Sequence, residues 1–168
     1  MNRIAEFEKV SFERFLEDAK TCYESKDKSV IKDIYDNIKL PVRKTKGAAG
    51  FDFLLPVKTV IEPDESVTIP TGIKARIEDG WFLSLYPRSS LGFKYKLMLD
   101  NTVGIIDSDY YSSKREGHIL AKVTNHSSTT AIIESGEGFM QGIFLQFGIT
   151  YSDNATEERQ GGFGSTNK

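Results

Sequence analysis

The chain has 168 residues, with 22 Lys plus Arg against 24 Asp plus Glu and a formal net charge of −2, a balance that excludes a strongly basic nucleic-acid binder. At this length one domain buries about 70 % of the surface its unfolded chain exposes, enough for a core without staples. Hydrophobic residues at 39 % and charged residues at 27 % describe a soluble globular protein, and no apolar run nears the roughly 20 residues that span a bilayer.

The first ten residues, MNRIAEFEKV, are charged and interrupted where a signal peptide needs a continuous apolar stretch, and Cys22 is the only cysteine. An intrachain disulfide and a Cys-based zinc cluster are thereby excluded, and a reducing cytoplasm is the expected location. Phe12, Phe15, Leu16, Ala19, Cys22 and Tyr23 then fall on one face of a 3.6-residue period, and Val30, Ile31, Ile34, Tyr35 and Ile38 form a second stripe. Two amphipathic helices follow, with Ser11 and Ser29 as expected N-caps, a turn near Ser25 to Lys28, and Pro41 ending the second.

From Val42 onward the pattern changes to short β-rich runs, among them 50–55, 57–61, 66–69, 73–77, 81–86, 94–100, 118–125, 130–134 and 142–151. Turns such as Glu62-Pro63-Asp64-Glu65 and Glu78-Asp79-Gly80 separate them, which predicts a β-sandwich, jelly roll or barrel. The expected division is a helical hairpin extension over 1–41, a β domain over 42–151, and a polar, glycine-rich mobile arm over 152–168.

Several stretches carry groups suited to chemistry. Arg88-Ser89-Ser90-Leu91-Gly92 offers a guanidinium, two hydroxyls and backbone N–H groups, which suit either a phosphate site or a polar turn. Gly104-Ile105-Ile106-Asp107-Ser108-Asp109-Tyr110 delivers a carboxylate at the end of an apolar run, where it can serve as a general base or simply cap the strand. Tyr110 offers a stacking platform or core filling. Gly161-Gly162-Phe163-Gly164-Ser165-Thr166 combines close backbone approach, hydroxyls and one aromatic, and composition alone allows a disordered tail equally well. Gly136-Glu137-Gly138 reads as a turn before Gln141. His118 and His126 lack a third ligand at metal spacing, which argues against a histidine metal site.

In order, Ala49-Gly50-Phe51-Asp52-Phe53, Pro87 to Gly92, Gly104 to Tyr110, Gly136 to Gln141 and Gly161 to Thr166 resemble the five motifs of the trimeric dUTP pyrophosphatases, the dUTPases. Pro70-Thr71-Gly72-Ile73 also looks typical of that family, and together these stretches cover roughly Thr45 to Thr166. The resemblance implies a mainly β, jelly-roll-like barrel and a homotrimer with active sites shared between subunits. It implies hydrolysis of dUTP to dUMP and pyrophosphate with Mg2+, limiting uracil incorporation into DNA and supplying dUMP for dTMP synthesis. By position, it makes Asp107 the base that activates water against the α-phosphorus. Tyr110 would pack on deoxyribose and exclude a 2′-hydroxyl, and Phe163 would cover uracil. Asp52 would hold the metal through water. Arg88, Ser89, Ser90 and Gln141 would contact or organise the phosphates, and Arg159, Gly164, Ser165 and Thr166 would close over the terminal ones.

Three features depart from the family pattern. Gly138-Phe139-Met140 precedes Gln141 without the usual arginine, the spacing from Arg159 to Gly161 is one residue short, and Tyr111 to Glu116 is longer than the usual turn. The related dCTP deaminases, which share a similar Arg-Ser-Ser-Leu stretch, use a glutamate and a second arginine; the corresponding positions here look like Lys122 and Phe93, a cationic and an apolar residue that cannot take the glutamate's proton-transfer role. A dUTPase-like fold with an added regulatory protein-binding role, as in some phage proteins, is a further alternative; neither nucleic acid nor membrane is an expected partner.

Overall fold

The structure, a computed structural model, describes residues 2–157 and 159. It is mainly β and jelly-roll-like, and every strand pairing among the described residues is antiparallel. The chain opens with strand β1 (Ala5–Lys9) and helices α1 (Phe12–Cys22) and α2 (Lys28–Asn37), followed by β2 (Phe51–Leu54), β3 (Thr59–Ile61), β4 (Ser66–Pro70), β5 (Ile73–Ile77) and β6 (Trp81–Pro87). Helix α3 (Ser89–Tyr95) leads to β7 (Leu97–Leu99), β8 (Gly104–Ile106) and a 3-10 turn (Ser108–Ser112). The described strands end with β9 (Leu120–Asn125), β10 (Ala131–Ile133) and β11 (Gly138–Gln146).

Sheet order is β2-β11-β6-β8 in the largest sheet and β4-β9-β7 in a second, with β1-β5 and β3-β10 as two-stranded ribbons. Inward alternation explains the registers. Ile73, Ala75 and Ile77 of β5 point to the core, as do Ala121, Val123 and Asn125 of β9. Buried Asn125 is fully engaged: Nδ2 donates to the carbonyls of Ile61 and Thr129, and Oδ1 accepts from the Ser127 N–H. Central β6 buries Leu83, Ser84 and Leu85 in succession because it lies between β11 and β8.

Both apolar stripes of the amino terminus form helices. Phe15, Ala19, Ile31 and Ile38 are buried, and Gly72, with φ +72°, lets Phe15 and Ile38 sit directly on the turn between β4 and β5. Ser11 caps α1 by accepting from the Arg14 N–H at 3.1 Å. For α2 the cap is Asp27 rather than Ser29, because the Asp27 carboxylate reaches the N–H groups of both Ser29 and Val30. Lys28 consequently belongs to the helix rather than the turn.

Strand β1 is an addition to the sequence-based elements. Phe7 sits edge-on to Phe51 and Phe53, with ring centroids 5.4 and 5.5 Å away, while Glu6 and Glu8 flank it on the other face and pair with Arg76. The expected strand over 94–100 shrinks to Leu97–Leu99 because residues 89–95 are helical. Leu91 and Tyr95, four apart, pack toward the core, a helical rather than an alternating period.

Candidate active site

The β strands deliver the sequence-selected side chains to two separate places. At one, Asp52 on β2 lies opposite Gln141 on β11, which lies opposite Tyr86 on β6. Arg88, just past the end of β6, places Nε 3.4 Å from Asp52 Oδ1, and Lys44 Nζ is 3.4 Å from Asp52 Oδ2. Gln141 Nε2 donates to the Pro87 carbonyl at 3.5 Å. Arg88 is the N-cap of α3, so Ser89 and Ser90 open that helix beside the guanidinium. Two cations and an amide thus surround one largely buried carboxylate, a donor-rich cluster suited to anionic oxygens.

At the second place, β8 runs antiparallel to β6 with Ile106 opposite Leu83, and Asp107 follows at once. Only Ile106 of the two isoleucines is buried, since Gly104 and Ile106 face Leu85 and Leu83 while Ile105 points outward. Asp107 and Asp109 both receive Arg159 Nη1 at 2.9 Å, and the guanidinium stands 5.2 Å over the Tyr110 ring. Those two carboxylates outweigh the burial of Arg159 and hold its guanidinium even more firmly protonated than usual. Tyr110 is buried, which raises its phenol pKa, and its O–H donates to the His118 carbonyl at 2.8 Å.

The two places are not adjacent within one chain. Asp107 stands level with Phe82, whereas Arg88 lies six positions further along β6, a separation of about 20 Å at the rise of an extended strand. Phe163, Gly164, Ser165 and Thr166 lie outside the described residues.

Sequence reasoning did not single out Lys44, which has no signal beyond standing near Asp52. It also treated His118 only as a metal candidate. His118 is instead fully buried against Asp18 of α1, and among the described residues no three His, Cys, Asp or Glu side chains gather as a metal cage. A cavity of about 1010 Å3 is bounded by Arg3, Arg43 and Lys46 over Phe51, Trp81 and Phe144. Ala49 and Phe51 of the first motif line it, but Asp52, Arg88, Asp107, Tyr110 and Gln141 do not, so their chemistry rather than cavity size marks the site.

The family model described as dUTPase matches residues 36–167. The deoxyuridine 5'-triphosphate nucleotidohydrolase of Lactococcus lactis subsp. lactis is 41 % identical over 132 residues, covering 77 % of this chain and 88 % of its own. That of Tolumonas auensis is 37 % identical over 137 residues, with coverage of 77 % and 87 %. Among solved structures, the dUTPase of Streptococcus mutans is 41 % identical with a TM-score of 0.60, covering 66 % of this chain and 88 % of that one. A Staphylococcus bacteriophage 80alpha dUTPase, at 17 % identity and a TM-score of 0.65 over 93 % of this chain and 98 % of its own, shares the fold. A family model over residues 36–167, together with a relative 41 % identical over 77 % of this chain, means that the chain belongs to the dUTPase family.

Proposed function

We propose that this protein hydrolyses dUTP to dUMP and pyrophosphate in active sites shared between subunits of a homotrimer. The observation that carries the shared-site reading is the division of the reactive groups. The Asp52–Arg88–Gln141 cluster and the Asp107–Tyr110 pair occupy opposite ends of β6, too far apart to meet on one nucleotide within one chain. A second copy offering its Asp107 to the first copy's Arg88 cluster removes that difficulty.

In this reading Asp107 accepts a proton from water as the water oxygen attacks the α-phosphorus, and pyrophosphate leaves on the opposite side. Arg88, Gln141 and the hydroxyls of Ser89 and Ser90 hold the phosphates in line. Tyr110 packs on deoxyribose and leaves no space for a 2′-hydroxyl. Arg159, held by Asp107 and Asp109, moves to the terminal phosphates when these compete for it. Phe163, Gly164, Ser165 and Thr166 would close over uracil and phosphates as part of an arm spanning 152–168.

The residues fit magnesium carried by the substrate. Asp52 is a single carboxylate already faced by Lys44 and Arg88, which suits contact through the ion's water shell and not a resident cage. When bound, the ion supplies charge neutralisation along the triphosphate.

The proton-shuttling deaminase alternative gains nothing from the site, since Lys122 Nζ is committed to Asp100 at 2.9 Å and Phe93 is exposed. No helix among the described residues is long and apolar enough to cross a membrane. The test is a substrate panel with magnesium: pyrophosphate should appear from dUTP far faster than from dCTP, dTTP or UTP, and ammonia released from dCTP would overturn the assignment. Asp107→Asn should bind nucleotide and lose turnover by about 10²–10⁴-fold, the usual contribution of a positioned base.

A further inference from the structure

Residues 2–35 precede the segment matched by the family model, yet they grip the loop that follows Asp107 and Tyr110. Asp18 of α1 is the centre of that grip, a residue only 5 % exposed. Oδ2 accepts from Arg14 Nε at 3.0 Å and faces His118 Nδ1 at 2.6 Å, while Oδ1 accepts from Arg14 Nη2 at 3.0 Å and Arg115 Nη2 at 2.5 Å. On the far side of the ring, His118 Nε2 accepts the Gly72 N–H at 2.8 Å. A backbone donor at Nε2 requires that nitrogen to be unprotonated, so Nδ1 carries the hydrogen and donates to Asp18. One carboxylate therefore selects the imidazole tautomer and fixes the ring between α1 and the β4–β5 turn.

The same loop is held at other points. Ser11 donates its N–H and hydroxyl to the Glu116 carboxylate at 2.9 and 2.7 Å, and Tyr111 O–H donates to Glu8 of β1. Glu116 adopts φ +55° and Gly117 φ +69°, left-handed backbone that these contacts stabilise. The His118 carbonyl in turn accepts the Tyr110 O–H.

We propose that Asp18 is a positioning residue for sugar selection: through the His118 tautomer and Arg115 it fixes the 111–119 loop, and through the His118 carbonyl it fixes the Tyr110 wall that excludes a 2′-hydroxyl. This rests on the reading of Tyr110 given above. Asp18→Asn places an amide N–H₂ or a neutral carbonyl opposite Nδ1. The amide face that donates forces the hydrogen to Nε2, where it meets the Gly72 N–H, and the loop loses its anchor.

The experiment compares kcat/KM for dUTP and UTP in the full-length protein and four variants. Asp18→Asn should lower the dUTP-to-UTP ratio about tenfold or more, the scale of a small misplacement at a reacting centre, with ¹⁵N shifts of His118 reporting the changed tautomer. Ile133→Ala, in the β3-β10 ribbon, serves as a destabilised control whose ratio stays at the parental value. Tyr110→Leu should collapse the ratio. If it does not, the reading of Tyr110 falls and this proposal with it; if it does while Asp18→Asn stays within twofold of the parent, the proposal alone is overturned. Should Asp18→Asn fail to fold, Glu116→Gln decides: a ratio lowered at least threefold supports the positioning role, and an unchanged ratio overturns it.

Discussion

A methyl group added to Gly50 would stand 2.6 Å from Gln141 Oε1, and one added to Gly138 would stand 2.6 Å from Arg88 Nη1. In both cases the obstructed atom is the free end of a side chain, so substitution displaces the functional group rather than the backbone. Gly50→Ala and Gly138→Ala should therefore each raise KM for dUTP about tenfold, the loss of one charge-assisted or amide contact to phosphate. Steady-state kinetics beside a melting curve checks this, with Tm expected to stay near the parental value. Gly142 differs: its neighbours would be Leu83 at 2.7 Å and Phe53 at 3.0 Å, both in the core, so alanine there should cost stability, about 1–3 kcal/mol for overpacking. Small residues beside the site thus serve two separate needs, space for reactive side chains and close strand packing.

At the scale of elements, α1 and the loop over 111–119 form one electrostatic unit. Burial pushes the Asp18 carboxyl up, but the His118 hydrogen bond and the charges of Arg115 and Arg14 outweigh it and hold the group below the usual carboxylate range. For His118, burial dominates its bond to Asp18 and pushes the imidazole below its ordinary value. Two arginines already supply positive charge, which fits an imidazole kept neutral. The unfolded chain takes up a proton at His118 near pH 6.5, whereas the folded chain does so only at lower pH. Stability should therefore decline as pH falls below about 6.5 and stop declining from this source once pH passes the folded value. The depressed Asp18 carboxyl adds a second loss below about pH 4. Tm measured from pH 7 to 5 should fall, and His118→Gln, which lacks the titrating ring, should flatten that part of the profile. Asp18→Ala should cost about 3–5 kcal/mol at neutral pH, because two guanidinium groups and a ring N–H lose their acceptor.

At the scale of the whole molecule, the two clusters stand at opposite ends of β6, and the proposed shared site makes one chain a carrier of two half-sites. Mixing offers a direct measurement. Asp107→Asn and Arg88→Ala are each expected to be nearly inactive alone, but co-assembled at equal ratio they should recover about a quarter of parental turnover, since that share of interfaces pairs an intact Arg88 with an intact Asp107. No recovery in co-assembled protein would place each complete site within a single chain. Exposed Phe93, Phe147 and Ile149 are further surfaces that assembly can bury.

The β-rich body and the two helices were legible from local pattern alone, because alternation, helical stripes and turn residues are properties of neighbouring positions, whereas Asp52, Arg88, Asp107 and Gln141 stood out as a set only through the resemblance of their motifs to a family. Strand β1 was not legible, since Ala5 and Phe7 make too short an alternation to stand out until Phe7 meets Phe51 and Phe53 of another sheet. Nor did the run after Arg88 announce a helix, which Leu91 and Tyr95 earn only by packing on the core. The Asp18–His118 contact joins residues a hundred positions apart, and the distance between Arg88 and Asp107 depends on strand register. The sequence by itself determined which groups this protein carries and which family chemistry they resemble. Tertiary structure alone decided which groups meet, because burial and long-range pairing, rather than spacing along the chain, set the distances at which charges, protons and rings act on one another.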